Sequence, residues 1–242
     1  MMAILIIFIC HWYLSLFVQT FFLHRYASHQ MFKMKPLTEK VFFILTWLAQ
    51  GSSFLHPAAY ALMHRKHHKH SDTEKDPHSP SSFNNWIKFM YQTADEYSIF
   101  TKKVNNSQYK DKSLPRWKLI EKIGDTYTSR IGFGIFYFLL YLYFAPNYWL
   151  LLLVPIHILM GPLHGFIVNW FGHKHGYRNF KQLYDNSKNT LFIDFLMLGE
   201  LYQNNHHKFP TKSNFAFRWF EIDFGYFIIK LLNKLRIIIL LR

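Results

Sequence analysis

Cysteine is nearly absent: the one thiol, Cys10, rules out a disulfide within the chain. Acidic residues are scarce too, with 14 Asp and Glu against 28 Lys and Arg and a formal charge of +14. Residues 1–24 and 131–168 hold no charged side chain of either sign. The first apolar run lacks the basic start and small-residue cleavage site of a removable signal peptide, so it reads as a retained segment. No internal repeat or low-complexity tract stands out. The basic residues flank apolar stretches and do not form one isolated patch. That placement argues against nucleic acid as a partner and for anionic lipid headgroups.

What is present is apolar and aromatic. Half of the 242 residues are hydrophobic and a fifth are aromatic, yet mean hydropathy is close to zero. A few membrane segments joined to large polar regions account for both figures. About 20 apolar residues cross a bilayer, and a buried charge costs about 2.5–3.5 kcal/mol even on lenient scales. The charge-free stretches therefore predict spans at about 1–23, 131–145 and 147–168, the last two split at Ala145-Pro146-Asn147-Tyr148. All 28 basic residues fall in 25–130 and 169–242, so the polar segments 24–130 and 169–242 are expected on the cytoplasmic side. Residues 39–63 read as a helix lying at the membrane interface, and the run from Phe224 to Arg242 as an amphipathic interfacial helix. The expected fold is a single all-α domain over 1–242. Integral membrane helices make three crossings from an outside N-terminus and are capped by a cytoplasmic helical domain holding a histidine-rich di-metal site.

The 15 histidines carry most of the functional information. They include His24 and His29; His64, His67 and His68; His206 and His207 after Gln203; and His173 after Asn169. On a helix, residues three and four apart share a face, so His64, His67 and His68 point together. The same holds for Gln203, His206 and His207, and for Asn169 and His173. His24 and His29 are five apart, which predicts that the helix ends or bends between them. Taken singly, the first cluster reads as interfacial side chains and the second as a solvated basic face. Together, with helical spacing and all on one inferred side of the membrane, they point to a shared cation. Neutral imidazole suits iron, zinc and copper. Eight imidazoles exceed what one four-coordinate zinc takes and suit two metal ions with open positions. Iron fits best, because such a pair can bind and reduce O2. His11 and His157 read as packed within spans, and His56, His70, His78, His164 and His175 are left outside the ligand set.

These boxes resemble the membrane fatty acid desaturase family, in particular its acyl-CoA, stearoyl-type branch. The resemblance covers roughly residues 10–225. It includes Asp76-Pro77-His78 after the second box, Gly176-Tyr177-Arg178 after His173, Gly199-Glu200 before the last box and Phe209-Pro210 after it. It implies His24, His29, His64, His67, His68, His173, His206 and His207 as ligands to two iron ions, with Asn169 reaching a metal through water. Gln203 stands where that branch has His and is similar to the final box of front-end desaturases, so it joins the metal set. Ser79-Pro80-Ser81-Ser82 replaces a basic pair implicated in holding CoA, which weakens the case for that carrier.

The implied activity is removal of two hydrogens from adjacent methylenes of a saturated acyl chain, with O2 as co-substrate. No side chain can attack an unactivated C–H bond, so a metal centre must supply that power. Electrons are expected from a separate ferredoxin or cytochrome b5 type donor. Asp72, Asp76, Asp194 and Glu200 are the carboxylates expected to orient imidazoles, and Trp47, Phe54, Trp170 and Phe171 are candidates to line an apolar tunnel. The rival readings are a histidine-rich lipid or sterol hydroxylase and a membrane metal transporter. The expected location is a bacterial cytoplasmic membrane, with the active site facing the cytoplasm.

Overall fold

The computed structural model describes residues 1–106 and 108–241. Met2–Val18 forms α1, and the helix continues without a break as a π-helix over Gln19–Ser28. Among the described residues this 27-residue unit, Met2–Ser28, is the one helix long and apolar enough to cross a membrane. Its helical winding extends five residues past the expected span end at 23. The expected break between His24 and His29 is not found. The helix widens instead, and i→i+5 pairing stacks residues five apart over one another; His29 N–H donates to the His24 carbonyl at 3.2 Å.

After β1 (Phe32–Met34) come α2 (Pro36–Gln50) and α3 (Pro57–His70). The single interfacial helix expected over 39–63 is thus two helices. Gly51 turns the chain with φ of +53°, a conformation that favours glycine, and a Cβ there would collide with Tyr137. Pro57 then opens α3, where its missing N–H costs nothing. α4 (Trp86–Asn105) and α5 (Lys118–Gly124) lead to α6 (Tyr127–Phe144), which stops at the predicted break.

The stretch predicted as one span over 147–168 is not straight. A 3-10 turn, Tyr148–Leu153, leads into α7 (Val154–Ile158) and α8 (Met160–Lys174). The two halves, Tyr148–Ile158 and Met160–Lys174, meet at 71°. Pro162 has no N–H to offer the Ile158 carbonyl, and the Ser52 hydroxyl takes that place, donating to Ile158 O at 3.1 Å.

α9 (Gln203–Lys208) and α10 (Phe224–Lys234) complete the helices. The C-terminal run is not helical throughout. Arg236 turns with φ of +58°, and Ile238–Leu240 forms β2, antiparallel to β1 with Phe32 opposite Leu240. β-branched isoleucines suit a strand better than a helix. Among the described residues the fold is mostly helical with this one two-stranded ribbon. Arg242, at the end of that run, lies outside the described residues.

The main core joins the π-helical segment to the ribbon and α2, through Phe21, Phe22, Phe32, Phe43, Phe215 and Ile238. Within the apolar half, His11 and His157 bring their Nδ1 atoms to 2.5 Å; His11 Nε2 lies 3.0 Å from Ala49 O and His157 Nε2 2.8 Å from the Tyr141 hydroxyl. Because Ala49 O only accepts, the neutral pair is ordered in one direction. Tyr141 donates to His157, His157 to His11, and His11 to Ala49.

Candidate metal centre

Four segments deliver imidazoles to one place. The π-helical turn presents His24 and His29, α3 presents His64, His67 and His68, α8 presents His173, and α9 presents His206 and His207. They form two groups. His24, His29, His64, His68 and His206 each offer a nitrogen within 4.8 Å of the others, and so do His67, His173 and His207. Five of these residues are buried and His29, His68 and His207 are partly buried, the His207 side chain itself being only 2% exposed.

Carboxylates hold the outer nitrogens. Nδ1 of His67 lies 2.9 Å from Asp76, Nδ1 of His173 lies 2.8 Å from Asp72, and Nδ1 of His207 lies 2.8 Å from Asp185. A carboxylate only accepts, so each of these rings keeps its proton on Nδ1 and turns a bare Nε2 lone pair inward. His67 and His207 then face each other with Nε2 atoms 3.3 Å apart, and His173 Nε2 is buried with no partner. Converging lone pairs repel unless a cation lies among them. In the five-membered group, Nε2 of His24 is 3.0 Å from that of His206, His29 is 2.8 Å from His64, and His68 is 2.9 Å from His206. Nδ1 of His24 lies 2.6 Å from Glu200. The residues present fit two nitrogen-bound metal ions.

Electrostatics keeps the rings in the ligand form. Burial, reinforced by neighbouring imidazoles, holds His29, His64, His67, His68 and His206 well below the usual histidine range. Burial also lowers His207, with Asp185 opposing. Among the carboxylates, burial works to raise Asp185, but bonds from His207 and Ser187 bring it down to about 2. Burial likewise opposes ionisation of Glu200, and His24 and Arg25 overcome it. Arg25 is fully buried, 2.8 Å from Asp223 and 3.2 Å from Glu200, with its guanidinium over the Phe215 ring at 4.0 Å.

Asn169 and Gln203 stand differently from the imidazoles. The Asn169 amide donates to Gly165 O at 2.9 Å, and the Gln203 amide to Glu200 O at 2.6 Å. Both line a small polar pocket beside His24 and His64. Three of the four expected carboxylates, Asp72, Asp76 and Glu200, lie against imidazoles. Asp194 does not; it accepts the backbone N–H groups of Met197, Gly199 and Leu201 at 2.8–3.0 Å. Sequence reasoning missed Asp185, which sits in a loop with no periodicity to mark it. It also left out His78, whose ring centre is 4.5 Å from that of His67 and whose Nε2 is buried without a partner. The Asp76-Pro77-His78 triplet was the available signal.

A cavity of about 860 Å³ reaches this centre at His64, His78 and Asn169 and extends between α4, α6 and the bent α7–α8 pair to Ile135, Phe138 and Ile158. Its lining is almost wholly apolar. Of the aromatics considered for a tunnel, Phe54 lines it. Trp47 instead donates to the Ser129 hydroxyl, and Trp170 packs on Phe89.

The family model described as fatty acid desaturase matches residues 1–223. The chain belongs to the fatty acid desaturase family. It is 29% identical over 264 residues to the hex-5-enoyl-[acyl-carrier protein] acetylenase of Moorena producens, covering 94% of this chain and 73% of that protein. It is 27% identical over 220 residues to the sn-1 stearoyl-lipid 9-desaturase of Synechocystis, covering 88% and 63%. With the acyl-CoA C20 Delta5-desaturase of Anemone leveillei the figures are 29% over 223 residues, 91% and 68%. The chain thus spans about two thirds of the length of these relatives. Membership makes it an oxidoreductase of lipid metabolism and implies a metal centre, which the two imidazole groups suit.

Proposed function

We propose that this chain is an oxygen-dependent acyl desaturase with two iron ions held by His24, His29, His64, His68 and His206 on one side and His67, His173 and His207 on the other. The observation that carries this reading is the junction of an apolar cavity with the imidazole wall at His64. A saturated acyl chain fills such a cavity and brings one pair of methylenes beside the metals. The iron pair, with O2 and two external electrons, supplies the oxidising power to remove two hydrogens. The protein does the rest. Asp72, Asp76, Asp185 and Glu200 orient imidazoles, and the apolar walls of α4, α6 and α8 hold the chain and exclude water. Asn169 and Gln203 line the polar pocket beside His24, where a water can bridge either to a metal.

The three named relatives work, by their names, on an acyl-carrier protein, a lipid and a CoA ester. Fatty acyl substrate is common to them and is taken to be the substrate here. Electrons come from a separate ferredoxin or cytochrome b5 type donor. The parts of the first helix, α6 and the bent α7–α8 pair that fall within 1–23, 131–145 and 147–168 lie within a bacterial cytoplasmic membrane. The imidazoles face the cytoplasm and the N-terminus lies outside, so that 24–130 and 169–242 are the cytoplasmic segments of a single domain.

Expression in a host of defined lipid composition, with fatty acids identified by mass spectrometry, tests this. New acids two mass units lighter are expected from the wild type with a donor present, and none from His207→Ala. Acids sixteen units heavier would make the enzyme a hydroxylase. A wild-type profile matching the empty host under air would remove the proposal.

A further inference from the structure

The loop over 192–196, between α8 and α9, is built inside out. Phe192 and Phe195 are 67% and 61% exposed, and Ile193 and Leu196 are exposed beside them, while the one charged residue, Asp194, is fully buried. The polar backbone is satisfied from within. Asp194 accepts the N–H groups of Met197, Gly199 and Leu201. The Tyr202 hydroxyl donates to Phe192 O at 3.0 Å and accepts the Asp194 N–H at 3.1 Å. Two further loop carbonyls are taken by α1: Tyr13 donates to Phe195 O at 3.0 Å and the Trp12 indole to Leu196 O at 3.2 Å.

Water rewards the opposite arrangement, with apolar side chains turned in. Hydrocarbon rewards this one, because a carbonyl near lipid must find its donor within the protein. The donors from α1 also set the depth. Ten residues separate Tyr13 from the expected end of the first span at 23, at most about 15 Å of helix, and the hydrocarbon core is about 30 Å thick. The apolar surface continues past the loop. Phe220 packs on Phe192 with ring centres 5.6 Å apart, and Trp219 beside it is 93% exposed. On α10, Phe227 and Leu231 are exposed together with Lys230 and Lys234, at spacings that share one face. Apolar surface edged by tryptophan and lysine is the composition of a membrane border.

We infer that loop 192–196 is a re-entrant wedge that enters the inner leaflet from the cytoplasmic side, with Trp219 and the exposed stripe of α10 at its headgroup border. This goes beyond the desaturase reading and rests on the placement of the first helix in the membrane. The occupant of the face is bilayer lipid. A second copy of the chain is the competing occupant, and charge opposes it. The acidic residues beyond 191, Asp194, Glu200, Glu221 and Asp223, are all buried. A symmetric contact between copies would set lysine against lysine, whereas anionic headgroups complement the stripe.

The test places an environment-sensitive fluorophore on single cysteines of the full chain, reconstituted into vesicles containing doxyl-labelled phosphatidylcholine. Cys10, exposed on the first helix, is the native reporter of the span. Phe195→Cys and Ile193→Cys, each combined with Cys10→Ser, report the loop, the second serving if the first melts early in detergent. Lys110→Cys, at an exposed position, reports water. The loop label should lose most of its emission to the doxyl lipid and little to aqueous iodide, as at Cys10; the label at 110 should do the reverse. Loss to iodide at the loop overturns the proposal. So does protection from both quenchers, which assigns the face to protein, and oxidative crosslinking of Phe195→Cys into dimers would then name a second copy. If the Cys10 label itself escapes the doxyl lipid, it is the membrane placement of the first helix that fails, and the wedge falls with it.

Discussion

The backbone N–H of His29 donates to the carbonyl of His24 at 3.2 Å, five residues back along one unbroken helix. The wide winding brings both rings to the same group of imidazoles, with ring centres 5.0 Å apart. An α-helical spacing would have sent them to different faces.

That winding is supported by a side chain. The Ser28 hydroxyl donates to Leu23 O at 2.8 Å in a buried position. Ser28→Ala should cost about 1 kcal/mol. It should lower the thermal midpoint by a few degrees, as differential scanning fluorimetry would record, and reduce iron uptake at His29.

Asp185 and Asp194 should part company on mutation. Asp185→Asn lets the amide present either its N–H or its carbonyl to His207 and frees the ring to rotate. A roughly 10–100-fold loss of iron affinity is expected. Asp194→Asn should leave iron affinity alone and lower stability, because its oxygens cap three backbone amides. Iron titration together with thermal melts separates the two.

Chain-length preference should respond at Gly134. A methyl placed there meets only Ile158, at 3.7 Å, so alanine is tolerated. A leucine projects into the far part of the cavity. Gly134→Leu should shift products toward shorter acyl chains with iron content unchanged, and fatty acid profiling by mass spectrometry reads the shift directly.

Removing the buried guanidinium should be severe. Arg25→Ala leaves Asp223 and Glu200 without their cation in a fully buried site, a loss of about 3–5 kcal/mol. The variant should express poorly or melt well below the wild type. A melting temperature within a degree or two of wild type would contradict the ion-pair account.

Much of the centre was legible because helical spacing is a local property. His64, His67 and His68 need only one regular helix to converge, and His173 needs only its place on α8. The charge-free stretches likewise marked the apolar elements and the break near Pro146. What could not be read depends on distant partners. The 71° bend arises from Pro162 only because Ser52 comes from another segment to satisfy Ile158. The ribbon pairs residues 32–34 with 238–240, which no local pattern announces. Asp185 matters through one contact with His207, and a single aspartate in a loop looks like any other. The π-winding over Gln19–Ser28 has no propensity signature, and the five-residue interval was its one trace.

The directional run from Tyr141 through His157 and His11 ends on the Ala49 carbonyl, which can take no proton and hand none on. A titratable pair among apolar neighbours could relay a proton, but this one terminates in a dead end. It ties α1, α2, α6 and α7 together through hydrogen bonds that all run one way.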